Sequence, residues 1–239
     1  MNMSKDDNFD YQAYMRTHPP DVTQIQRGLE ARRKRFELAM YKKAGAYPPP
    51  NFKSQAIVPL ATIHGAVLEF LRGREDAVVF GGHAVNVYVK EKRATQELDL
   101  LSTRTAKLAT ELRDHLNRRF RIFLLIRRLN KGDGRRIYQA TKDGNHFLVD
   151  IRPVPQMPNA KPIAQVLYME PAELIASKVI AFHNRRDKPK GDVDKRDLTK
   201  LLLTFPELKS DTGAVVERLQ ATGAEEAVLA IWKELVAQT

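Results

Sequence analysis

Ala77-Val78-Val79-Phe80-Gly81-Gly82-His83-Ala84-Val85, followed twelve residues later by Glu97-Leu98-Asp99-Leu100-Leu101, carries the densest structural signal in this 239-residue chain. Ala77 to Phe80 is a short apolar, β-prone run that stops at a Gly-Gly pair. Ala84, Val85 and Val87 to Val89 then suit a buried helix. The expectation is strand, glycine turn, helix. In the second stretch acid alternates with leucine, so a strand over 97–101 sends Glu97 and Asp99 to one face and Leu98 and Leu100 to the other. A third acid, Asp150, stands among Phe147, Leu148, Val149 and Ile151, where an unpartnered carboxylate costs several kcal/mol.

Outward from this centre the periodicities are mostly helical. Ile57, Leu60, Ile63, Val67, Leu68 and Leu71 recur at helical spacing and predict an amphipathic helix over 54–72 ending near Gly73. Residues 104–118 read as a helix and 120–126 as a strand. Residues 136–141 and 146–151 read as a hairpin across Lys142-Asp143-Gly144-Asn145. Pro153, Pro155, Pro158 and Pro162 break the pattern. Beyond them helices are expected at 171–186, 194–204, 211–222 and 223–237, with no strand signal. Upstream, residues 1–20 are polar and end in His18-Pro19-Pro20. Residues 22–43 read as a helix with a basic face at Arg32 to Arg35, and Tyr47-Pro48-Pro49-Pro50 is a stiff linker. The fold class expected is α+β, with a small mixed sheet flanked by helices and a helical C-terminal half. The expected division is 1–50 (lead-in and basic helix), 51–155 (catalytic-type core) and 156–239 (helical domain).

Composition narrows the chemistry. With no cysteine, disulfides, thiolate catalysis and Cys-built zinc sites are excluded. Carboxylates remain the natural ligands for a hard, oxygen-loving cation, Mg²⁺ or Mn²⁺. The 40 Lys+Arg against 29 Asp+Glu give a formal charge of +11, which favours polyanionic partners, nucleic acid first. The absence of a long apolar run argues against a membrane span, and a cytoplasmic protein is expected.

Taken in order, a glycine turn opening a helix, an acid pair on a strand and a lone acid on a later strand form a coherent set. Glycines let the backbone approach phosphate oxygens at a helix N-terminus. Glu97, Asp99 and Asp150 can hold divalent cations that activate an attacking oxygen and stabilise a leaving phosphate. That set points to phosphoryl or nucleotidyl transfer.

The stretch Phe80-Gly-Gly-His-Ala-Val-Asn86 followed by Arg93-Ala-Thr-Gln-Glu-Leu-Asp-Leu100 resembles the AbiEii-type nucleotidyltransferase toxins. So do Glu173-Leu174-Ile175-Ala176-Ser177-Lys178 and Lys195-Arg196-Asp197-Leu198, in the same order. The resemblance spans roughly residues 75–203. It implies a nucleotidyltransferase-type core in which Gly81, Gly82 and His83 line the triphosphate, Glu97 and Asp99 bind metal beside the Asp150 read above, and Lys178, with Arg185 on the same helix, meets nucleotide phosphates. Asp99, Asp150, Lys178 and Asp197 would be the catalytic set, with Asp197 either positioning the acceptor and assisting deprotonation or simply pairing with Lys178 or an arginine. Arg93 and Thr95 would support the site. The resemblance further implies an NTP substrate, a toxin or defence role and an antitoxin partner, while the basic charge makes RNA, such as a tRNA end, the first acceptor expected and a protein hydroxyl the next. Two positions depart from the pattern: His83 stands where a small hydroxyl residue is common, and Glu97 replaces the first aspartate. The alternative is therefore a catalytically degenerate nucleotide- or nucleic-acid-binding module on the same fold.

Overall fold

The computed structural model describes residues 57–129, 132–141 and 144–238; the lead-in, the basic helix and the proline linker lie outside the described residues. Helix α1 (Leu60–Leu71) begins directly after Pro59, later than the periodicity suggested. It buries Ile63, Ala66, Val67 and Leu71, and the chain leaves it through Gly73 at φ +70°. Strand β1 (Val78–Phe80) runs into helix α2 (Gly81–Tyr88), giving the expected strand–turn–helix. Strand β2 (Leu98–Ser102) follows, then helix α3 (Thr105–Phe120), which buries Leu108, Ala109, Leu112 and Leu116.

After α3 the reading and the structure part. A strand was expected from Phe120, but the helix runs through it and closes at Arg121 in the left-handed region. Strand β3 starts only at Leu125 (Leu125–Arg128). Ile122, Phe123 and Leu124 look strand-like because they are buried, yet they lie between α3 and β3. Strands β4 (Arg135–Thr141) and β5 (Gly144–Pro153) form the expected hairpin.

Two further strands, β6 (Ala160–Ile163) and β7 (Val166–Met169), lie where no strand was read. They pair antiparallel across Ala164 and Gln165, both at positive φ, in a two-residue turn of the mirror-image class that ordinarily recruits Asn-Gly. Ala-Gln hides that turn. Pro162 is tolerated because β6 is an edge strand, while β7 runs parallel to β1. The sheet therefore extends past residue 155, in the order β3-β4-β5-β2-β1-β7-β6.

The remaining helices are α4 (Pro171–Arg185), α5 (Pro189–Thr204), α6 (Ala214–Ala221) and α7 (Glu226–Gln238). Proline at the first turn of α4 and α5 sets their starts, since its missing N–H has no partner there anyway. The α4 helix packs on α5, α6 and α7. Trp232 is fully buried, and its indole N–H donates to the Ser210 carbonyl at 2.9 Å. Among the described residues, no helix is long and apolar enough to cross a membrane.

Candidate active site

Strand alternation divides the sheet into two faces. Leu98, Leu100, Val149 and Ile151 are fully buried, and α3 packs on β2, β4 and β5. On the other face the strand register lines up a continuous row: Phe80 opposite Asp99, Asp99 opposite Asp150, Asp150 opposite Arg136, and Arg136 opposite Arg127. Parallel pairing of β2 with β5 brings Asp99 and Asp150, fifty-one residues apart in sequence, side by side.

Gly81 closes the inner end of the row. It sits at φ +66°, a conformation that costs any other residue roughly 1–2 kcal/mol, and a Cβ there would lie 2.7 Å from Asp99 Oδ2. Gly82 is equally confined: a Cβ would meet Thr95 Cγ2 at 2.7 Å and Arg93 Nη2 at 2.9 Å. The two glycines thus hold the start of α2 directly against a carboxylate and a guanidinium.

Electrostatics distinguish the three acids. Asp150 is buried and takes a two-pronged ion pair from Arg136, with Nε and Nη2 each donating at 2.5 Å. Glu97, just before β2, is 3.7 Å from the same guanidinium. Among the described residues, the ion-pair partner of Asp99 is Arg152, at 3.6 Å. Burial pushes the Asp99 carboxyl up to about 6; Arg152 and Lys178 oppose this, while the charges of Asp150 and Glu97 add to it.

Among the described residues no group of three or more Asp, Glu, His or Cys side chains is arranged to hold a metal ion. The Asp150 carboxylate is instead paired with Arg136. The donor chemistry is that of a hard divalent ion, because Glu97, Asp99 and Asp150 supply carboxylate oxygens, and burial leaves the Asp99 carboxyl with a raised pKa.

A second charged cluster joins α4, α5 and the segment before β2. Lys178 Nζ donates to Asp197 Oδ2 at 2.7 Å and to Asp194 Oδ1 at 3.0 Å. Arg93 grips Asp197 with two bonds of 2.8 Å, and Arg185 reaches Asp194 Oδ2 at 2.7 Å. Burial alone would raise the Asp197 carboxyl, but Arg93 and Lys178 outweigh it and hold it below the usual range. Lys178 and Arg185 therefore converge on Asp194, and Asp197 ties Lys178 to Arg93, which walls Gly82. The field of Lys178 reaches Asp99, so this cluster borders the acid row.

His83 turns inward. Its Nε2 lies 2.6 Å from Thr95 Oγ1 and 3.1 Å from Nδ1 of the buried His64. Burial first, then His64 and Arg93, push it down to about 4, so it is neutral near pH 7 and offers phosphate no charge. Its ring fills the space behind the turn.

Sequence pattern singles out none of Arg136, Arg152 and Asp194 as site residues, and it places His64 on a helix as a surface or packed residue, where it is indeed buried. Asp194 carried a signal, since it precedes Asp197 by three residues and so shares its helix face. An arginine on a β-strand of a basic chain carried none.

No protein-family model and no curated protein matches the chain. Solved structures do. A Megavirus polyadenylate synthase is similar at TM-score 0.52 and 14% identity over 89% of this chain, which spans 41% of that enzyme's length. JHP933 from Helicobacter pylori (TM-score 0.42, 15% identity, 74% of this chain and 87% of that one) is also similar. The antibiotic-resistance factor ANT(2'')-Ia (TM-score 0.40, 15% identity, 75% and 96%) is more distant still. The last two are too loose to carry an argument. The likeness to the polyadenylate synthase is one of fold: a nucleotidyltransferase-type sheet flanked by helices.

Proposed function

We propose that this chain is a metal-dependent nucleotidyltransferase that transfers a nucleoside monophosphate from an NTP to an acceptor hydroxyl. The observation that supports this best is the register of β2 with β5, which sets Asp99 beside Asp150 on one face of the sheet, with Gly81 closed against Asp99. In the reaction a bond forms between the acceptor oxygen and the α-phosphorus. The bond from that phosphorus to the β-phosphate bridging oxygen breaks, pyrophosphate leaves, and the acceptor proton passes to solvent or a basic side chain. Glu97, Asp99 and Asp150 would hold Mg²⁺ or Mn²⁺, which when bound activates the attacking oxygen and stabilises the leaving phosphate. The backbone at Gly81 and Gly82 admits phosphate oxygens to the start of α2. Lys178, Arg93 and Arg185 supply positive charge, and Asp197 and Asp194 hold those cations in place. His83 shapes the turn from behind.

RNA, such as a tRNA end, is the acceptor we favour on the +11 charge. The AbiEii-like motifs further suggest a toxin or defence role held in check by an antitoxin. Incubation with each labelled NTP, Mg²⁺ and total RNA tests the activity: label should move to RNA. No transfer to RNA or protein with any of the four nucleotides would refute it. The grip of Arg136 on Asp150 and the Glu97 departure favour one second reading, a nucleotide- or nucleic-acid-binding module without catalysis. Glu97→Asp separates the two. A large gain in transfer marks a degenerate site, and an equal or lower rate marks a working one.

A further inference from the structure

The acid row does not stop at Asp150. It continues through Arg136 to Arg127 on the edge strand β3, and there it opens into a groove of about 610 Å³ lined by Arg127, Arg128, Arg136 and Arg152, with Asp150 at its inner end. Arg136 is committed to Asp150. Arg128 pairs with Asp133, but both side chains are exposed, where such a pair is worth little. Arg127 has no carboxylate partner among the described residues; its guanidinium lies over the Phe147 ring at 4.7 Å and the Tyr138 ring at 5.7 Å, which holds its planar fork at the surface without neutralising it. Glycines 132 and 134 leave the groove wall without side chains at two places.

We infer that this arginine groove is the acceptor subsite, and that it binds the phosphodiester backbone of a single-stranded nucleic acid. The separation decides against the NTP itself. From Asp99 to Arg127 is three strand spacings, roughly 14 Å at about 4.8 Å each. Arg152 reaches Asp99 and lies over the Phe80 ring at 5.5 Å, beside the glycine turn. But a nucleotide held at Gly81 is on the far side of Asp99 from Arg127 and Arg128, whereas a chain of successive phosphates can lie along the β3–β5 surface and end at the acids. Guanidinium forks match phosphate oxygens two at a time. The groove thus explains how an acceptor hydroxyl reaches Asp99 and Asp150 from the side opposite the glycine turn, and in this respect it rests on the nucleotidyl-transfer reading.

Binding can be measured apart from chemistry. The full chain, without NTP, is titrated into a short fluorescent single-stranded RNA at several salt concentrations, and into DNA of the same sequence. Arg127→Ala/Arg128→Ala removes two phosphate contacts. The slope of log K against log salt should drop by about 1.4, and affinity near 0.1 M salt should fall about 25-fold. NTP affinity should stay as in wild type. The control Lys107→Ala/Arg118→Ala removes the same charge from exposed positions on α3, behind the sheet, and should lose little. Equal loss for RNA and DNA means that the backbone is read, and loss for RNA alone means that the 2′-hydroxyl is read as well. Unchanged RNA affinity in Arg127→Ala/Arg128→Ala, a matching loss in the α3 control, or a loss confined to NTP would each overturn the inference. A wild-type chain that binds RNA through these arginines yet transfers no label would uphold the groove and refute the transfer reaction.

Discussion

Asp99 is a group that the fold disfavours in its charged form, and replacing it by asparagine should show this as a gain in stability bought with activity. The side chain is about three-quarters buried, and its carboxyl is pushed from 3.8 up to about 6 by burial and by Asp150 and Glu97. A folded pKa above the unfolded one means that ionised Asp99 destabilises the fold. At pH 7 two pKa units at 1.36 kcal/mol each set a ceiling of about 3 kcal/mol, and partial exposure brings the expected value to roughly 1–2 kcal/mol. For a folded unit of this size that is a rise of roughly 2–8 °C in the unfolding midpoint. As pH falls from 7 through 6 toward 4, Asp99 takes up its proton and its own penalty on the fold is lifted. The advantage of Asp99→Asn should therefore shrink to under about 1 kcal/mol by pH 4. Thermal unfolding of both proteins in chelator at pH 7 and pH 4 measures this. Added Mg²⁺ should raise the wild-type midpoint and leave that of Asp99→Asn unmoved, while nucleotidyl transfer by the variant falls at least about 100-fold. A variant less stable than wild type at pH 7, or one whose advantage does not depend on pH, would refute the reasoning.

Three other outcomes are expected. Gly81→Ala should lose about 1–2 kcal/mol from its positive φ and, by pressing a Cβ against Asp99, lower transfer about 100-fold; urea unfolding and initial rates check both. Lys178→Met leaves Asp194 and Asp197 buried with only Arg185 and Arg93, and should cost about 3–5 kcal/mol by urea titration at pH 7. Asp197 has its pKa held below the unfolded value, so its contribution is complete above about pH 4 and is lost as pH falls through the folded pKa. The urea midpoint should therefore drop as pH falls from about 4 toward 3, and Asp197→Asn should flatten that drop.

The site was legible in the sequence wherever local pattern and chemistry coincide. The Gly81-Gly82 turn, the alternation at Glu97 to Leu100 and the polar residue at 150 in an apolar strand each leave a mark within a few residues, because backbone sterics and burial act locally. The same locality misled at Phe120 to Leu124, where burial imitates a strand, and at Ala164-Gln165, where a hairpin turn carries none of its usual residues. What only the tertiary structure decided is how charges pair. That Arg136 covers Asp150, that Asp99 is left with a raised pKa, that His83 meets His64, and that Lys178 and Arg93 share Asp197 depend on strand register and helix docking across separations of 14 to 104 residues. Composition and periodicity report which side a residue faces; they do not say which residue stands opposite, and electrostatic energy between neighbours depends on that distance.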